Sequence, residues 1–128
     1  MLDNSAAVVD ALSGVTGADA LRARVASEEL HAPDLLGYEV VSALRGLTLG
    51  GIVSEARSLD LLTDFADLPI HRWASADGLR RRAFQLRHNV SAYAAAYLAL
   101  AEALDCPVLT RDARLARSSG HDVDVVVL

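Results

Sequence analysis

The sequence predicts an α/β fold, with a mostly parallel central sheet of about five short strands and helices on both faces. Three observations point that way. Five short apolar stretches recur along the chain, at Met1–Asp3, Leu30–Ala32, Leu68–His71, Pro107–Leu109 and Asp124–Val127. Longer segments with helical periodicity separate them, the alternation that builds parallel sheets. The composition is rich in aliphatic helix formers, with 23 Ala and 21 Leu, while aromatics are only 5%.

Each element has a local reason. Met1–Asp3 is the first strand candidate, and Ser5 to Leu12 follows as a helix. Asp34 to Leu47 carries apolar residues at Leu35, Leu36, Val40, Ala43, Leu44 and Leu47, a helix period. Pro33 suits its entry and Gly50-Gly51 its exit. Ser54 to Phe65 repeats the pattern, with Leu59, Leu61, Leu62 and Phe65 as core or interface. Ser75 is the expected cap of a helix reaching about Leu86. Ser91 is the expected cap of another through Leu104, and Asp112 of a short one to Arg117.

At 128 residues the chain reads as a single domain over 1–128. All 12 basic residues are Arg, and there is no Lys. That excludes a Walker-type phosphate loop, a Schiff-base enzyme and a Lys-dependent receiver domain in their usual forms. The net charge of −5 means that nucleic acid has to be met by a local Arg patch, not by a long-range field. The single cysteine, Cys106, allows no internal disulfide and suits a reducing cytoplasm. No basic, apolar leader opens the chain, and its longest apolar run, Ala92 to Ala101, is too short for a bilayer; a soluble, cytoplasmic protein is expected.

In α/β sheets, sites gather at the carboxyl ends of strands. Asp3, beside Ser5, stands at one such end as a candidate metal ligand or a simple helix cap. Glu39 interrupts the apolar side of its helix. A carboxylate there asks for a ligand, a metal or an Arg, unless it pairs with Arg45 or faces water. Thr110-Arg111-Asp112 follows an apolar strand, so Asp112 is either a site acid or only an N-cap. The four histidines show no metal spacing, and no serine nucleophile elbow is present. At the start of the Ser91 helix, a capping box would put an acid at position 94, yet the chain reads Ala94-Ala95-Ala96.

Four stretches together resemble the PIN domain of the VapC type, the ribonuclease toxin of bacterial toxin–antitoxin pairs. They are LDNSAAVVDAL (2–12), APDLLGYEVVSALRG (32–46), NVSAYAAAYLALAEAL (89–104) and CPVLTRDARLA (106–116). The resemblance implies that Asp3, Glu39 and Asp112 hold Mg²⁺ or Mn²⁺, with Ser5, Ser42 and Thr110 in support. It implies cleavage of transfer or ribosomal RNA to 5′-phosphate and 3′-hydroxyl ends. It further implies a homodimer and a small VapB-type antitoxin. A fourth acid, in a Tyr-Asp-Ala pattern, is replaced here, where the chain reads Tyr93-Ala94-Ala95. Either natural decay or deliberate disarming of a toxin fits that departure, and the form as written is expected to be nearly inactive. The alternatives are a naturally inactive PIN domain that binds proteins, or a generic flavodoxin-like binding domain.

RNA contacts are expected from Arg111, Arg114 and Arg45, with Arg117 in the same cluster as the first two. Arg80, Arg81, Arg82 and Arg87 form a second cluster that reads more simply as a solvated helix face.

Overall fold

The computed structural model describes Ala23 and residues 27–127. The expected first strand and first helix, and with them Asp3 and Ser5, lie outside the described residues. Strand β1 (Leu30–Pro33) is followed by helices α1 (Leu35–Leu49) and α2 (Glu55–Asp67) and strand β2 (Ile70–Trp73). Helices α3 (Asp77–Gln85) and α4 (Ala92–Leu104), strand β3 (Val108–Thr110), the short helix α5 (Ala113–Ala116) and strand β4 (Val125–Val127) complete the order.

Both strand pairings are parallel, β1 with β2 from Leu30↔Ile70 to Pro33↔Trp73, and β3 with β4 from Val108↔Val125 to Thr110↔Val127. Parallel neighbours need a crossover between them, and helices supply it in both pairs. Among the described residues the four strands form two pairs, and α4 packs against a strand of each, β1 and β3. This helix is nearly all Ala and Leu because it is enclosed. Ala95, Tyr97, Leu98, Ala99, Leu100 and Ala101 are buried in succession. The core is aliphatic, as the composition requires, and Leu30, Leu36, Val40, Leu61 and Val108 belong to the same buried cluster as that helix.

The caps at Ser54 and Ser91 form as expected, each hydroxyl accepting a backbone N–H, from Arg57 at 3.1 Å and Ala94 at 3.2 Å. After α1 the chain reverses at Gly51, whose φ of +74° favours glycine. Two expectations are corrected. Strand β2 starts at Ile70, not Leu68, because Leu68 still closes α2 by donating its N–H to the Phe65 carbonyl and Pro69 has no N–H to pair. Helix α3 begins one residue later than expected, with Ala76 at the cap position. The Ser75 carbonyl and hydroxyl instead accept from Arg80, at 2.5 and 2.9 Å.

The Arg80–Arg82 run serves the fold. Arg81 pairs with Asp77, and Arg82 grips Glu102 of α4 through two bonds of 2.8 and 2.9 Å while also donating to the Gly120 carbonyl. That hydrogen-bonded fork holds the Glu102 carboxyl below its ordinary range. A depressed carboxyl contributes stability that is full above its ordinary pKa of 4.5 and fades as pH falls through the folded value. Glu102→Gln is therefore expected to cost about 1 kcal/mol at pH 7 for this half-exposed pair. The gap in Tm between the two forms should narrow as pH falls below the ordinary carboxyl value of 4.5, and a gap independent of pH would contradict the assignment.

Candidate functional site

Glu39 sits just past the first turn of α1, after the carboxyl end of β1. It is half-buried, and its Oε1 accepts a hydrogen bond of 2.5 Å from the Tyr97 hydroxyl. Tyr97, fully buried, stands three residues beyond Ala94 on α4, so the two share a helix face. Ala94 is the third residue of that helix, half-buried against the core, its N–H held by Ser91. The face of α4 that meets Glu39 is thus the face that carries Ala94. Glu39 is met by Tyr97, not by Arg45, which is exposed on α1 along with Ser42.

Sequence reasoning missed Tyr97. The available signal was a phenol inside an otherwise aliphatic helix, since a buried hydroxyl needs a partner.

Asp112 follows β3 by two residues. Its N–H donates to the hydroxyl of Thr110, which is fully buried, at 3.0 Å. Its carboxylate caps α5 by accepting the Arg114 N–H at 2.9 Å. The Arg114 side chain also forks onto it, Nε to Oδ1 at 3.0 Å and Nη2 to Oδ2 at 3.1 Å. These bonds hold the Asp112 carboxyl below the usual range, with Arg117 adding a smaller attraction. Arg114, expected to contact RNA, has its guanidinium engaged on Asp112, so RNA or a cation arriving there has to share or displace it. Arg111 and Arg117 are exposed beside it.

The parallel pairing also produces a cluster that sequence spacing concealed. His31 and His71 fall in register on β1 and β2, with rings stacked at 4.8 Å and both Nε2 atoms 3.3 Å from Glu29. The Trp73 indole N–H donates to His31 Nδ1 at 3.0 Å. A neutral His31 ring then carries its proton on Nε2, facing Glu29, which leaves that ring no lone pair for a metal.

An apolar groove of about 620 Å³ opens beside the first turns of α1 and α4, with Trp73, Leu79, Phe84 and Tyr93 on its walls. Neither it nor the cavity of about 700 Å³ beside Arg82 and Glu102 is lined by Glu39 or Asp112. No three His, Cys, Asp or Glu side chains form a metal cluster among the described residues. The candidate donors, Glu39 in the second turn of α1 and Thr110 and Asp112 at the end of β3, are all oxygens. That chemistry fits a hard divalent cation and not a soft one. No helix among the described residues is long and apolar enough to cross a membrane.

Residues 1–120 match the PIN domain family. The chain is 44% identical over 124 residues to Ribonuclease VapC1 of Mycobacterium tuberculosis, covering 95% of this chain and 92% of that protein. It is 38% identical over 125 residues to Ribonuclease VapC12 of the same organism, covering 98% and 95%. In fold it is similar to a chain in the crystal structure of VapBC2 from Rickettsia felis bound to a DNA fragment from their promoter. The TM-score is 0.66, with coverage of 97% and 96% and 9% identity. With carboxylates following the ends of parallel strands, a matching fold and relatives that span its length, the chain belongs to the PIN-domain family and, within it, to the VapC-type ribonucleases.

Proposed function

We propose that the protein is the toxin of a type II toxin–antitoxin pair, a metal-dependent endoribonuclease acting on transfer or ribosomal RNA, and that Ala94 leaves the form as written with little activity. The observation that carries this reading is the meeting of Glu39 with the Ala94–Tyr97 face of α4 in a chain of VapC-type ribonuclease ancestry. Asp3, Glu39 and Asp112 would hold Mg²⁺ or Mn²⁺. A bound cation would supply Lewis-acid polarisation of the scissile phosphate and a water of lowered pKa as nucleophile.

The chain's own residues do the rest. Glu39, held by Tyr97, presents an oriented carboxylate. Thr110 keeps the Asp112 backbone in place through its hydroxyl, so the acid stands just past the strand end. Arg114 neutralises Asp112 when no cation is there, and Arg111, Arg117 and Arg45 are positioned on the surface to meet phosphates. Neither a serine nor a cysteine nucleophile is needed, in keeping with the absence of either device from the sequence.

We further assign the partners as a homodimeric second copy and a VapB-type antitoxin in the cytoplasm. An acidic site attracts an Arg from such a partner, because a guanidinium can neutralise carboxylates in place of a metal. Most of the binding would rest on apolar anchors. The Ala94→Asp form expressed alone should arrest growth of its host, and co-expression of the adjacent small gene should relieve the arrest and yield a stable complex. The chain as written should form the complex without arresting growth. A toxic phenotype from both forms, or a clean uncomplexed toxin after co-expression, would contradict the proposal. Ala94 itself favours the second reading, an inactive PIN domain that only binds proteins, and that reading predicts a harmless Ala94→Asp form.

A further inference from the structure

We infer that Tyr97 is the positioning residue of the metal site, its buried phenol fixing the Glu39 carboxylate in the orientation that a divalent cation uses. The inference rests on the metal-dependent reading above and adds to it a residue that is neither a carboxylate nor a ligand.

The geometry is specific. The Tyr97 side chain is fully enclosed, whereas the other two tyrosines, Tyr38 and Tyr93, are 83% and 68% exposed. Its hydroxyl reaches Glu39 Oε1 at 2.5 Å, across from α4 to α1, over 58 residues of sequence. A phenol donating to a carboxylate is a charge-assisted bond, among the shorter and stronger kinds. An ionised carboxylate has about four lone-pair positions. One bond from the phenol leaves the second oxygen and part of the first for another partner. Glu39 has three side-chain torsions, and a ligand so flexible has to be ordered each time a cation binds. Tyr97 removes that freedom beforehand from the enclosed side of the site. Because it lies three residues from position 94 on the same face, it also sets the spacing between Glu39 and any acid placed there. The arrangement parallels the outer partners that orient metal ligands generally, whose loss typically weakens metal affinity about 10–100-fold.

The test uses the full chain carrying Ala94→Asp, with and without Tyr97→Phe, and reads Mn²⁺ affinity from free-ion electron paramagnetic resonance. Tyr97→Phe keeps the ring and deletes only the hydroxyl. A loss of Mn²⁺ affinity of about 10-fold or more is expected, and in a Glu39→Gln background the same substitution should have no further effect. Unchanged affinity alongside a lowered metal-free Tm would mean that the hydroxyl only stabilises the fold, and would overturn the inference while leaving the ribonuclease reading intact. An equal loss in the Glu39→Gln background would overturn it too, since Tyr97 would then act elsewhere. Absence of Mn²⁺ binding by the Ala94→Asp form itself would remove both. Should Tyr97→Phe not fold, the ultraviolet tyrosine difference spectrum of the Tyr97 form takes its place. A signal that saturates with added Mn²⁺ is expected, and a flat spectrum overturns the inference.

Discussion

Ala94→Asp is expected to raise Mg²⁺- or Mn²⁺-dependent cleavage of RNA from little or nothing to a clear rate, by at least 10–100-fold. The argument is one of charge and ligand count. On the proposed reading Asp3, Glu39 and Asp112 would bring three negative charges, where the family pattern implied by the resemblance has a fourth acid. Even loss of an outer partner of a metal typically costs about 10–100-fold in affinity or activity, and a carboxylate that binds the cation or its water should count for no less. Folding is not the source of the difference. Position 94 is the third residue of α4, in the first turn, where an acid gains roughly 0.3–1 kcal/mol from the helix dipole. That offsets the ~0.7 kcal/mol that Asp concedes to Ala in helix propensity. Ser91 already holds the backbone N–H of residue 94, so no cap is gained or lost. The assay is cleavage of total transfer and ribosomal RNA by both forms, with EDTA controls. Equal rates would show that position 94 is not part of the site and that the metal assignment is wrong.

The legible and illegible parts of this protein divide on a physical line. Local chemistry was legible. Ser54 and Ser91 cap the helices they precede, Asp112 caps α5, and the periodic Leu and Val positions of α1 form one buried stripe at Leu36, Val40 and Leu44. The four described strands fall within two residues of their expected places, and the largest shift, at β2, comes from a proline whose missing N–H delays pairing. Position 94 stood out because a helix start that invites an acid carries a methyl. What depended on distant segments was not legible. Tyr97 meets Glu39 only because its side chain reaches from α4 across to α1, and His31 meets His71 only through the parallel register of β1 and β2. Arg114 looked like a phosphate contact, but a local fork onto a residue two positions away competes with that role.

Leu98→Ala is expected to cost about 2–5 kcal/mol, the range for emptying a buried leucine site. For a chain of this size that corresponds to a drop in Tm of roughly 10–20 °C. Leu98 is fully buried in the middle of α4, and α4 packs on both β1 and β3. A cavity there loosens both strand pairs at once, so neither side can collapse onto it without pulling away from the other. Tyr93→Ala, five residues earlier but 68% exposed, should change stability by less than about 0.5 kcal/mol. The pair separates two ways of losing the site. Ala in place of Asp at 94 should leave the fold intact and weaken only the chemistry, whereas Leu98→Ala should weaken the metal-free fold and, with it, the alignment of position 94 and Tyr97 against Glu39. Thermal unfolding in EDTA, followed by Mn²⁺ titration of each form in the Ala94→Asp background, reads the two effects independently. A Leu98→Ala form that unfolds within 1 °C of its parent would mean that α4 is not the wall the two strand pairs share, and that Glu39 is held in place by something other than this helix.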